Sequence, residues 1–310
     1  MPETVIEVRG VSKFYGDFTA VDNVTFDVYR GEIFSMLGPN GAGKTSTIRM
    51  ILDILKPDEG SIQVFGAPFS EKTKERIGYL PEERGLYKNV PVIELLTYLA
   101  ALKGMKPAAA RRKAEAMLEE FGMTANRKSK VKELSKGMSQ KIQFISTILH
   151  EPDLIIVDEP FSGLDPVNTE MIKQLIFRMR ARGTTIVMSI HQMNQVEEMA
   201  DRLIMINKGK RVLYGPVDVV RDQYAENAVI VQGEGHWEAL PGVTEVIREE
   251  NGRGAKLKLA AVYTPNQLMA YLATDERYKV RSYALAVPSL NDIFIRVAGE
   301  NPEPTPEAVR

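Results

Sequence analysis

The segment GPNGAGKTS, Gly38 to Ser46, follows an apolar run and opens a helical pattern, and its spacing is that of a phosphate-binding loop, G-x-x-x-x-G-K-[ST]. Glycines at 38, 41 and 43 let the backbone curl until its N–H groups and the following helix N-terminus face an anion. Lys44 adds a point charge that reaches terminal phosphates, and the Thr45 hydroxyl is a ligand for Mg2+. Gly38, Asn40, Gly41, Gly43, Lys44, Thr45 and Ser46 are therefore the candidate phosphate-binding residues. A magnesium-nucleotide site also needs a carboxylate at the end of a nearby buried strand. The run DLIIVDEP supplies two, Asp158 to hold the metal directly or through its waters and Glu159 to polarise an attacking water. Alone, an acid pair after an apolar run is a solvated strand end; the phosphate loop is what makes it a catalytic candidate.

The elements that must position these groups follow from periodicity. TVIEVRG, NVTFDVYRGE and IFSMLG alternate or run apolar between turn residues and are expected strands. TSTIRMILDIL switches to helical spacing and stops near Pro57, and most of Val92 to Leu149 is helical in pattern. DLIIVDEP, TTIVMSIH and RLIMINKGKRVLYG read as buried strands, the last two flanking a helix at QMNQVEEMADR. Helices alternating with buried strands predict an α/β layered domain over residues 1–216, with a helical subdomain at about 88–150. A connecting helix is expected at 217–226. Residues 227–299 then reset to a β-α-β-β-α-β order, a small α+β domain of split βαβ, ferredoxin-like type, and the Pro- and Glu-rich stretch 300–310 is an expected disordered tail.

Composition narrows the functional classes. The chain of 310 residues holds no cysteine, which removes thiol nucleophiles, disulfides and cysteine metal sites. Its net charge of −1 carries no nucleic-acid footprint and no polybasic membrane anchor. No signal peptide is visible and no window reaches the length of a bilayer-spanning helix, so work at a membrane is expected to run through a partner.

With the phosphate loop, the acid pair, LSKGM at 134–138, SGLD at 162–165 and SIH at 189–191 in that order, residues 4–216 resemble the ATP-binding cassette ATPases. In that family two cassettes bind head to tail, each completing the other's ATP site. The resemblance implies that Ser135 and Gly137, opening a helix, cap the γ-phosphate held by Lys44 of the opposite subunit. Lys136 stands where the family usually has glycine. Tyr15 matches the aromatic that stacks on adenine, His191 the histidine that contacts the γ-phosphate and the hydrolytic water, and Asp165 the loop that crosses to the partner. Without the resemblance these residues read as a helix cap, a half-buried strand residue, a structural histidine and a turn aspartate. His150 and His236 match no family site and read as a helix-end and a surface residue. Glu82 occupies the position where most of the family has glutamine, linking Mg2+ and the attacking water to the membrane subunit; a carboxylate is still a hard oxygen ligand.

The resemblance thus implies an ATPase that uses ATP and Mg2+, pairs with a second cassette, most simply as a homodimer, and drives a separate integral membrane permease from the cytoplasmic face. The permease contact is expected around Glu82 to Tyr87 and the helical region after it. The C-terminal module resembles the extension on many bacterial exporter ATPases, which favours export. The alternative is a soluble cassette protein acting in assembly or regulation. Family translation factors usually carry two cassettes, and the DNA-repair members carry long coiled coils, neither of which this chain has.

Overall fold

The computed structural model describes residues 2–82, 85–248 and 254–299. The tail expected over 300–310 lies outside the described residues. Two compact units divide after Val217.

The first unit starts with β1 (Thr4–Tyr15), β2 (Phe18–Tyr29), β3 (Ile33–Leu37), α1 (Lys44–Ile51), β4 (Glu59–Val64), α2 (Glu71–Glu75) and β5 (Ile77–Leu80). Three helices follow, α3 (Val92–Leu102), α4 (Pro107–Glu120) and α5 (Lys136–Ile148). The chain then alternates through β6 (Leu154–Asp158), α6 (Pro166–Ala181), β7 (Thr185–Ile190), α7 (Met193–Met199), β8 (Arg202–Asn207) and β9 (Lys210–Pro216). β2, β1 and β4 make an antiparallel sheet. The other strands form a six-stranded sheet in the order β5-β6-β7-β3-β8-β9, parallel except for β9.

Every residue of β3, β6 and β7 is buried, which is why these strands read as unbroken apolar runs and not as alternating ones. Phe26 of β2 stacks on Phe34 of β3 with ring centroids 5.4 Å apart, joining the two sheets in one core. Each such fully buried side chain contributes about 1.5–3 kcal/mol relative to exposure. In the helical stretch, Val92, Ile93, Leu95, Leu96 and Ala100 of α3 face inward at helical spacing, as do Ala110, Ala114 and Leu118 of α4.

His150, expected at a helix end, stands just beyond α5. Its Nε2 lies 3.2 Å from the Ile77 carbonyl, while Nδ1 is buried with no hydrogen-bond partner among the described residues. Burial, with Lys103 and Lys113 nearby, lowers its pKa from 6.5 to about 4. The unfolded chain therefore binds a proton at higher pH than the folded one, and stability falls as pH drops from 6.5 towards 4. His150→Gln is expected to remove up to about 3 kcal/mol of that acid-side loss. Urea titrations of both proteins at several pH values across this window check it, through the difference between the two stability curves.

The second unit holds α8 (Val217–Gln223) from Asp218 on, then β10 (Ala228–Glu234), β11 (Val243–Arg248), β12 (Gly254–Leu259), α9 (Pro265–Thr274), β13 (Lys279–Leu285) and α10 (Leu290–Gly299). Its sheet runs β11-β12-β10-β13 with all neighbours antiparallel. β12 lies between β10 and β11, which is the split βαβ arrangement expected from the sequence. The first crossover, however, is a single 3-10 turn at Trp237–Ala239, because Pro241 and Gly242 end it at once. Trp237 stacks on Tyr278 inside the core of this unit. Among the described residues no helix is long and apolar enough to cross a membrane.

Candidate nucleotide site

The site grows from the ends of three neighbouring strands. β3 leads into the phosphate loop, β6 ends on Asp158, and β7, lying between them, ends just before His191. Ligands of open α/β sheets gather at these carboxyl ends. The loop can curl only because of its glycines. A Cβ on Gly38, at φ 148°, would sit 2.1 Å from the Ile206 carbonyl oxygen, and one on Gly43, at φ 108°, would sit 2.4 Å from that of Ala20. α1 then starts at Lys44. The Lys44 ammonium donates to the carbonyls of Gly38 at 2.7 Å and Pro39 at 3.1 Å. Burial holds its pKa below the usual lysine value, against the opposing pull of Glu159, Asp158 and Glu82.

Asp158 is only 3% exposed. The Thr45 hydroxyl donates to its Oδ2 at 3.1 Å, and the Ser189 hydroxyl donates to its Oδ1. Ser189 is fully buried and is paired in register with Asp158 across β6 and β7. Glu159 turns out of the sheet through a left-handed backbone at φ 53°, a conformation that a non-glycine residue adopts at a cost and that is concentrated at functional positions. Its N–H donates to the Ser189 carbonyl at 3.1 Å and its Oε2 lies 2.6 Å from His191 Nδ1. Burial raises the Glu159 pKa, and His191 and Lys44 partly offset the rise.

These groups line one cavity of about 430 Å3 that contains Asn40, Gly41, Gly43, Lys44, Thr45, Ser46, Glu82, Asp158, Glu159 and His191. Tyr15, read as a half-buried strand residue on its own merits, is 52% exposed at the end of β1 and joins the wall. Phe18, 62% exposed, pairs with Tyr15 across the turn and lines the same cavity. Sequence reasoning missed Phe18, although the hairpin signal in FYGDF places the two aromatics opposite one another. It missed Ser189 as well, because nothing local marks a serine inside a strand as facing a carboxylate, and it missed Ser162, which lines the cavity.

Ser135, Gly137 and Asp165 do not line the cavity. Ser135 caps α5, its Oγ accepting the Met138 N–H at 3.2 Å, and Asp165 caps α6, its Oδ1 accepting the Asn168 N–H at 2.9 Å. Gly137 needs no special backbone, and the nearest atom to an added Cβ would be Asn168 Nδ2 at 3.9 Å.

Ser189 carries an expected effect of its own. Ser189→Ala leaves Asp158 Oδ1 buried without its donor, and the Mg2+ concentration for half-maximal nucleotide binding is expected to rise about tenfold. Titration of Mg2+ against a fluorescent ATP analogue checks this apart from turnover; Ser189→Thr, which keeps the hydroxyl, is expected to stay near the parent value.

Comparison with known proteins decides the family. The ABC transporter family profile matches residues 21–162, and the ATP-binding protein DrrA1-3-like, C-terminal domain matches residues 215–298. The ABC transporter ATP-binding protein YhaQ of Bacillus subtilis is 40% identical over 296 residues, covering 95% of this chain and 99% of its own. This chain belongs to the ABC transporter ATP-binding proteins. The Nod factor export ATP-binding protein I of Cupriavidus pinatubonensis is 30% identical, covering 95% of this chain and 91% of its own. A solved ATP-binding subunit of an ABC transporter superposes with a TM-score of 0.67 at 32% identity, covering 71% of this chain and 93% of that one.

As an ATP-binding subunit of an ABC transporter, the protein binds ATP with Mg2+ and hydrolyses it. The site fits both. The cradle exists only where side chains are missing, at Gly38 and Gly43, and Thr45 and Asp158 present two hard oxygens beside it.

Proposed function

We propose that this subunit powers export through a separate membrane permease at the cytoplasmic face, as one of a pair of ABC ATPase chains. The observation that carries the pairing is the incompleteness of the cavity within one chain. Lys44, Thr45, Asp158, Glu159, Glu82 and His191 converge on it, while Ser135 and Gly137 present an exposed helix N-terminus elsewhere. A helix N-terminus favours an anion, and the room around Gly137 supports close approach of a phosphate from a second subunit. Ser135, Gly137 and Asp165 are then partner-facing residues that also cap their own helices.

Within each site, Lys44 and the loop N–H groups hold the phosphates, and Tyr15 with Phe18 offers aromatic faces to the base. Thr45 and Asp158 would hold Mg2+, which would neutralise phosphate charge there, and Glu82 offers a further carboxylate on the same wall. Glu159 takes the proton of the attacking water, with His191 orienting the carboxylate through Nδ1. Two ATP favour the closed pair, hydrolysis reopens it, and the permease follows. The direction of transport is supported by the relative named for Nod factor export.

The test is solution mass. Glu159→Gln, which binds but does not turn over, is expected to double its mass when ATP and Mg2+ are added, and Glu159→Gln with Ser135→Arg is expected to stay monomeric. A mass that stays single in Glu159→Gln, or doubling that persists with Ser135→Arg, refutes the shared site.

A further inference from the structure

Two buried glutamines of α5 reach the loops that carry the acids of the nucleotide cavity. Gln140, in the second turn of the helix, is 8% exposed, and its Nε2 donates to two carbonyls of the loop after β6, Pro160 at 3.2 Å and Ser162 at 3.3 Å. Gln143, also buried and on the same helix face, donates to the carbonyl of Pro81, the residue before Glu82, at 3.4 Å. A buried amide costs free energy unless it is bonded, and these bonds go to the two acid-bearing loops. Glu159 needs such support. Its left-handed backbone at φ 53° is a conformation that persists only where the surroundings over-determine it. Ser189 holds its N–H, and the buried Phe161 ring anchors the loop in the core. Between that loop and α5 lies a cavity of about 40 Å3, lined by Gln140, Gln143, Glu82, Asp158, Glu159 and Ser162 among others. Close packing therefore does not set the spacing of loop and helix at this point, and the Gln140 amide spans it.

We infer that Gln140 is a positioning residue for hydrolysis, which holds the Glu159 carboxylate where it can take the proton of the attacking water. Gln140 is not among the residues lining the nucleotide cavity, and it acts through the Pro160 and Ser162 carbonyls on the backbone turn that aims Glu159. Without the amide the turn relaxes, and Glu159 drifts from its 2.6 Å contact with His191 Nδ1. Proton transfer falls steeply with such a displacement. The phosphate loop keeps its nucleotide contacts, because Lys44 and the glycine turns hold it from other elements. The inference rests on Glu159 as the base and not on the shared ATP site.

The experiment compares the full chain with its Gln140→Met variant, in which the side chain keeps its length and loses its donor. The kcat for ATP hydrolysis is expected to fall about 10- to 100-fold, while affinity for a fluorescent ATP analogue with Mg2+ stays within about twofold of the parent. A support of the fold alone would lower the melting temperature and leave kcat per binding site unchanged. The second readout is a double-mutant cycle with Glu159→Gln. There Gln140→Met is expected to leave the residual rate unchanged, because the base that it positions is already gone. Gln140→Asn, which keeps the amide one methylene too short, gives the same two readouts if the Met variant does not fold. An unchanged kcat in a folded Gln140 variant overturns the inference, as does a loss of ATP affinity as large as the loss of kcat. A further fall in the Glu159→Gln background also overturns it, since the amide then acts by another route. Turnover that survives in Glu159→Gln alone removes the base assignment itself, and the positioning role with it.

Discussion

Glu159→Gln is expected to lower the steady-state ATPase rate by about 10^2- to 10^4-fold while leaving nucleotide affinity within a few-fold of the parent. The amide keeps the shape of the carboxylate and can still accept from His191 Nδ1, so the wall of the cavity is preserved and the proton acceptor is removed. The same substitution is expected to stabilise the nucleotide-free fold at neutral pH. Burial raises the Glu159 pKa, so its ionised form is the strained one. The sign follows from linkage: the folded chain holds the proton more tightly than the unfolded chain, and stability is lost as pH rises through the folded pKa. The gain in melting temperature is therefore expected to be largest near neutral pH and to vanish in acid, a trend that calorimetry over a pH series reads directly. In the parent, the acid limb of the rate profile is expected above the ordinary carboxylate range. A Glu159→Gln protein that keeps its turnover sinks the assignment of Glu159 as the base.

Lys44→Ala is expected to weaken ATP binding about 10- to 150-fold, the worth of a charge-assisted hydrogen bond to phosphate, and to abolish measurable turnover at physiological nucleotide concentration. Titration calorimetry with ATP and Mg2+ checks the affinity. Its effect on the fold should be small by comparison. The ammonium loses two carbonyl partners, at Gly38 and Pro39, yet burial already disfavours its charge. Loss of the cation also leaves Glu159, Asp158 and Glu82 facing one another with less compensation, so Glu159 is expected to titrate still higher. A fold destabilised as severely as by a core deletion is not expected, and if observed it would show that Lys44 is chiefly a structural clasp for the loop.

Glu82, which the resemblance sets apart as standing where glutamine is expected, lies on the cavity wall, where its charge acts on Lys44. Its carboxylate is thus present among the acids that Lys44 balances. Ser189 extends the same theme, since Asp158 is held from both sides by hydroxyls that reach it from different elements, Thr45 from α1 and Ser189 from β7.

The sequence by itself determined the parts of this protein whose signals are local. A glycine pattern that only a tight phosphate-facing turn tolerates, acids ending an apolar run, and buried parallel strands written as unbroken Val, Ile and Leu were all readable in short windows. The split βαβ order of the second unit was readable too, because strand and helix periods alternate clearly there. Only the tertiary structure decided that β7 lies between β3 and β6, and so that a buried Ser189 meets Asp158 and His191 meets Glu159. It also decided that Phe18 shares a wall with Tyr15, that Glu159 is turned by a left-handed backbone, and that Ser135 and Asp165 cap helices outside the cavity. Each of these depends on which distant segments become neighbours, and strand order is set by packing summed over the whole core, which no single window contains.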